Sequence, residues 1–102
     1  MVRGEIWWGE SPDQKGRPYV ILTRSAAIPV LRTLLVAPVT RTVRGIPTEI
    51  PLGPEHGLEF ESVATMDNLL TFPKSMLARR IGELSELDLV RMCDAIRAAT
   101  DC

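Results

Sequence analysis

Arg17 and Thr40 are the residues of this chain whose types and spacing best suit chemistry on a phosphodiester. Arg17 stands at the head of an apolar run, Gly16-Arg17-Pro18-Tyr19-Val20-Ile21-Leu22, and Thr40 closes a second, Leu34-Leu35-Val36-Ala37-Pro38-Val39. If the two runs pair antiparallel, the start of one lies beside the end of the other, and the guanidinium falls beside the hydroxyl. A guanidinium grips two phosphate oxygens at once, and a threonine hydroxyl adds a third donor. Each residue also has an ordinary reading. Arg17 alone would be a solvated strand-edge cation paired with Asp13, and Thr40 a plain strand end.

Other reactive side chains offer less. Cys93 and Cys102 have no further cysteine to join, and their spacing fits neither a redox pair nor a zinc knuckle. Cys93 is expected as a buried thiol and Cys102 as a frayed one. The single histidine, His56, lies in the turn-like Gly53-Pro54-Glu55-His56-Gly57 and is expected to be solvated. One histidine cannot supply a two-histidine acid/base pair or a His-rich metal site. Charge is more suggestive. Residues 1–48 carry seven basic and three acidic groups, and the remainder five basic and ten acidic, so a basic half hides inside a net charge of −1. Such a half can attract phosphate, although scattered solvated side chains would give the same balance.

The elements that must position these groups are mostly strands. Glu5-Ile6-Trp7-Trp8 is short and β-prone, and Gly9 to Gly16 reads as a polar loop turning at Ser11-Pro12-Asp13. Arg17–Thr23 and Thr33–Val39 read as central strands, being apolar, β-branched and too short for helices. Thr48–Leu52 reads as an edge strand because Pro47 and Pro51 cannot donate to a ladder. Ser62–Met66 and Arg80–Glu83 are further strands, with one helical turn at Pro73–Leu77. A helix follows: Ser85 as N-cap, Glu86 and Asp88 in the first turn, and an apolar stripe through Leu89, Met92, Cys93, Ile96 and Ala99.

At 102 residues, 45% hydrophobic and 25% charged, the chain has the length of one globular domain with one modest core, residues 1–102. No apolar stretch approaches the roughly 20 residues of a membrane helix. The first residues enter a strand at once, leaving no room for a signal peptide, and a cytoplasmic location is expected.

In order along the chain, Arg3-Gly4-Glu5-Ile6-Trp7-Trp8, Gly16 to Leu22, Val36-Ala37-Pro38-Val39-Thr40, Ser62-Val63-Ala64-Thr65-Met66-Asp67-Asn68 and Arg80-Ile81-Gly82-Glu83-Leu84-Ser85 resemble the MazF/PemK (Kid) family of toxin endoribonucleases. The resemblance implies an α+β fold, a small SH3-like barrel of antiparallel strands with a C-terminal helix, assembled as a homodimer. It implies cleavage of single-stranded RNA at short sequences, independent of a metal or other cofactor, leaving a 2′,3′-cyclic phosphate and a 5′-hydroxyl. It also implies a cognate antitoxin as partner. Carried over by position, the family's active-site arginine and threonine fall on Arg17 and Thr40, and the acidic residue proposed as catalytic in some members falls on Asp67. RNA contacts are expected from Lys15, Arg41, Arg44, Trp8 and Asn68; Trp7 and Trp8 point to opposite faces of their strand, one toward the core. Arg41 replaces the serine of many members, Thr65 replaces an arginine of some, and the Gly9–Gly16 segment lacks a histidine that some carry. These departures are expected to alter sequence preference.

In cleavage of this type the substrate's 2′-hydroxyl is the nucleophile. Arg17 suits the phosphorane charge and Thr40 adds a donor. An ordinary guanidinium does not deprotonate near neutrality, so Asp67 is the chemically better base. Two rival functions share the resemblance: a non-catalytic CcdB-like toxin that binds DNA gyrase, and a degenerate member that binds its antitoxin as a regulator.

Overall fold

A computed structural model describes residues 1–102, with Gln14 described by its backbone alone. Seven strands and one helix follow in the order β1 (Glu5–Ser11), β2 (Gln14–Ile21), β3 (Thr33–Thr40), β4 (Glu49–Leu52), β5 (Ser62–Thr65), β6 (Leu70–Pro73), β7 (Leu77–Glu83) and α1 (Glu86–Thr100). The antiparallel sheet runs β4-β5-β3-β2-β1-β7, with β6 also paired to β3, and it curls around its own core with α1 packed on it. The fold is the expected α+β arrangement, with β2 and β3 central and β4 at an edge.

The unbroken apolar runs of β2 and β3 have a direct cause. Val20, Leu22, Ala37 and Val39 face one buried cluster, which includes Met92 and Ala95 of α1; Tyr19, Ile21, Leu34 and Val36 face a second, with Phe72 and Leu77. Strands covered on both faces lose the alternation of a half-exposed sheet. Tyr19 and Phe72 stack with ring centroids 4.7 Å apart in that second cluster. Trp7 packs there too, while Trp8, one residue on, faces the opposite way.

Pro38 sits within β3 where a central strand should not tolerate it. On the side away from β2, β3 pairs with β6 through Val36 and with β5 from Val39. Pro38 therefore occupies the changeover between two partners, where its missing N–H costs little.

Three segments depart from expectation. Gly9–Gly16 is not an open loop: β1 and β2 continue through it to a two-residue turn at Pro12-Asp13, with Ser11 paired to Gln14 and a register shift after Gly9. Residues 70–73 form β6, a strand that a Pro-terminated four-residue segment does not announce. His56 is buried rather than solvated, with Nε2 2.7 Å from Asp88 Oδ2 and Nδ1 accepting from the Gly53 amide. Helix α1 begins as expected: Ser85 Oγ accepts from the Asp88 amide, and Asp88 accepts from the Ser85 amide in return. Cys93 is half-buried beside Arg3 Nη2 at 3.4 Å, and Cys102 is exposed at the chain end. No helix is long and apolar enough to cross a membrane.

Candidate active site

The β2–β3 ladder ends at the pair Tyr19↔Pro38. Before it, Pro18 and Arg17 pair with Trp8 and Gly9 of β1; beyond it, Val39 and Thr40 pair with Ala64 and Val63 of β5. The two strands diverge where Pro18, the next residue in line to bond β3, supplies no N–H to continue the ladder. The opening between them is a groove of about 630 Å³ with Arg17 and Thr40 among its lining residues. Arg17 and Thr40 lie beyond the last β2–β3 pair, on strands that have taken other partners, and both line the groove between them.

Both groups are chemically free. Arg17 is exposed and has no ion-pair partner among the described residues; the expected pairing with Asp13 is absent among them. The Thr42 amide donates to Thr40 Oγ1 at 3.2 Å, which orients the hydroxyl and leaves its own proton available to a ligand.

The groove walls carry two arginine–aromatic pairs. The Arg41 guanidinium lies 3.9 Å from the Phe60 ring centroid, and Arg79 lies 5.5 Å from that of Trp8. Trp8 is held on several sides: its indole N–H donates to Glu10 Oε1 at 2.8 Å. Gly16 lies so close that a Cβ there would come within 2.6 Å of three indole atoms. Arg79 reaches the groove while its neighbour Arg80 turns away to Glu5 at 2.8 Å and Glu83 at 3.2 Å. Burial pushes the Glu5 carboxyl up, but the Arg80 hydrogen bond and the Val2 amide outweigh it and hold it below the usual range. Among the described residues, Glu59 is the one acidic residue of the groove lining. Among the described residues no three His, Cys, Asp or Glu side chains converge as metal ligands do.

The groove thus combines free cations, arginine-stacked aromatics and an acidic residue where two central strands part. Residues 2–100 match the family described as PemK-like, MazF-like toxin of type II toxin-antitoxin system. The chain belongs to that family. It is 39% identical over 102 residues to the probable endoribonuclease MazF5 of Mycobacterium tuberculosis, covering 99% of this chain and 94% of the relative. Endoribonuclease MazF3 of the same organism is 42% identical over 87 residues, covering 85% and 84%. The solved Mycobacterium tuberculosis toxin MazF-mt6 superposes with TM-score 0.89 at 39% identity, covering 95% of this chain and 96% of that one. A mycobacterial endoribonuclease in complex with its cognate antitoxin gives TM-score 0.87 at 24% identity, covering 99% and 95%, a likeness of fold alone.

In this MazF/PemK-family chain the other expected residues divide. Trp8 and Arg41 line the groove with Arg17 and Thr40. Asp67 and Asn68 do not; they lie past the far end of β5, in a 3₁₀ turn where Asp67 Oδ2 accepts from Thr48 Oγ1 at 2.5 Å. Lys15 is exposed on β2, outside the groove lining. Arg44 lies on the loop after β3, where its amide and that of Gly45 each donate to Glu49 Oε1 at 3.0 Å. Sequence reasoning passed over Glu59, Phe60, Ser62 and Arg79. A clue existed in Glu59-Phe60-Glu61, where an aromatic stands between two acids with no apolar neighbour on either side.

Proposed function

We propose that this protein is a toxin endoribonuclease that cuts single-stranded RNA at short sequences, with Arg17 and Thr40 at the scissile phosphate. The observation that carries the reading is their placement, from two diverging strands, on one open groove with an unpaired guanidinium and a free hydroxyl proton. The 2′-oxygen attacks phosphorus, forming the 2′,3′-cyclic phosphate, while the bond from phosphorus to the 5′ oxygen breaks. The 2′ proton passes to a base, and a proton reaches the departing oxygen to give a 5′-hydroxyl. Arg17 balances the charge of the phosphorane through paired N–H donors, and Thr40 donates a further bond.

The base must be a group that holds a proton reversibly near neutrality, which excludes Arg17 and Thr40. Asp67 is the residue that the family pattern nominates, and Glu59 is the carboxylate that lines the groove of this protomer. Trp8 with Arg79 and Arg41 with Phe60 flank the cut site, while Lys15 and Arg44 add phosphate contacts nearby and Asn68 stands beside Asp67. Family membership supports two assembly states, a homodimer and a complex with a cognate antitoxin that occludes the groove.

The test is direct. Purified protein freed of antitoxin should cut a long single-stranded RNA in excess chelator, with 5′-hydroxyl ends mapped by primer extension. Arg17→Ala should slow this about a hundredfold, the scale of losing one transition-state donor. Undiminished cutting by Arg17→Ala, or strict dependence on magnesium, would overturn the reading.

A further inference from the structure

We infer that Arg41 and Phe60 form a stacking site for an unpaired nucleobase next to the scissile phosphate, and that this pair sets base preference there. The inference rests on the RNA-cleavage reading above and names a subsite of it. Phe60 is 50% exposed although it is one of the two phenylalanines of the chain, the other being buried in the core. Exposure alone is ordinary for a single apolar side chain; what marks this ring is its place in the groove lining with the Arg41 guanidinium over one part of it. Its position is nevertheless fixed: Ser62 Oγ donates to the Phe60 carbonyl at 2.9 Å, and Ser62 begins β5.

Arg41 completes the site. Its guanidinium covers the Phe60 ring at 3.9 Å and, among the described residues, makes no salt bridge, even with Glu59 and Glu61 adjacent in sequence to that ring. One face of the planar cation is therefore taken by Phe60, while its edge N–H groups remain unclaimed. A base that slides over the exposed ring or the open face of the guanidinium gains stacking, and the edge donors read its acceptors. Arg41 directly follows Thr40, so the base engaged belongs to a nucleotide flanking the cleaved bond. Trp8 offers less, since Gly16 and Arg79 already lie against its indole.

Phe60→Ala and Phe60→Trp are compared with the parent protein. Cut positions on a long RNA are mapped, and affinity is measured for a short random-sequence RNA made uncleavable by 2′-O-methylation. Losing one base–aromatic stack should lower both affinity and cleavage efficiency roughly tenfold and flatten the preference at one nucleotide beside the cut. Phe60→Trp should retain all three, and matching melting curves should show both variants folded. Unchanged affinity and an unchanged cut pattern for Phe60→Ala would overturn the inference and assign the pair to another partner, such as a protein segment. A parent protein that leaves RNA uncut would defeat the cleavage reading, yet the methylated-RNA affinities would still decide the stacking pair.

Discussion

His56 Nε2 donates to Asp88 Oδ2 at 2.7 Å, and this bond joins the turn before Glu59 and Phe60 to the first turn of helix α1. Nδ1 accepts from the Gly53 amide, which fixes the tautomer with the proton on Nε2. The same carboxylate accepts from the Ser85 amide. One side chain thus caps the helix and holds the segment that forms a wall of the groove.

That bond makes stability depend on acid. Burial alone would push the Asp88 carboxyl up, but the hydrogen bonds from His56 and Ser85 outweigh it and hold the group below its ordinary 3.8. A depressed folded value means that the stabilisation is complete above about pH 4 and fades as pH falls through the folded value. Asp88→Asn should cost about 1–3 kcal/mol at neutral pH, the range for breaking a buried charge-assisted bond. Denaturant titrations should show the two proteins converging below the carboxylate range. A gap that stays constant down to strong acid would remove Asp88 as its source.

The base can be assigned by comparing Glu59→Gln with Asp67→Asn under single-turnover conditions. Removing a general base should slow cleavage by about 10²–10⁴ and erase the acid limb of the pH–rate profile. The groove lining favours Glu59 for that loss, with Asp67→Asn retaining the limb, since the amide oxygen can still accept from Thr48 Oγ1. The reverse result would place Asp67 at the reacting atoms, through an arrangement that one protomer does not provide.

Arg41 and Arg44 should contribute to RNA binding as phosphate or base contacts. Their joint replacement by Ala should weaken affinity for the 2′-O-methylated RNA and lower the slope of log K against log salt by about 0.7 for each phosphate no longer neutralised. A slope equal to that of the parent protein would move the backbone-binding role to other cations.

Gly82 of β7 tests how rigidly the wall is built. A Cβ there would lie 2.0 Å from the His56 carbonyl oxygen, so Gly82→Ala forces the 54–56 turn away from β7. Overpacking of this kind costs about 1–3 kcal/mol, and at roughly 4–8 °C per kcal/mol for a domain of this size the melting temperature should fall visibly. Gly45, on an open loop with nothing near a Cβ, has φ +71°, so its replacement by Ala isolates backbone strain from crowding. Equal melting temperatures for Gly82→Ala and the parent would show that the turn yields freely.

Much of the fold was legible because its signals are local. Apolar runs bounded by Gly, Pro and polar residues gave β2 and β3, and Ser85 followed by Asp88 and a stripe at helical spacing gave α1. That Arg17 and Thr40 come to one end of the β2–β3 pair and line one groove was legible for the same reason, since antiparallel pairing of two neighbouring strands follows from their ends. Which strand β3 joins after Pro38 was decided by long-range pairing that no local pattern encodes, and that choice opens the groove. Tertiary packing also buried His56 against a helix 32 positions away, brought Glu59, Phe60 and Arg79 to the groove wall, and left Asp67 beyond the far end of β5. Propensity and spacing determine which segments become strands; the curl of the sheet determines which side chains meet.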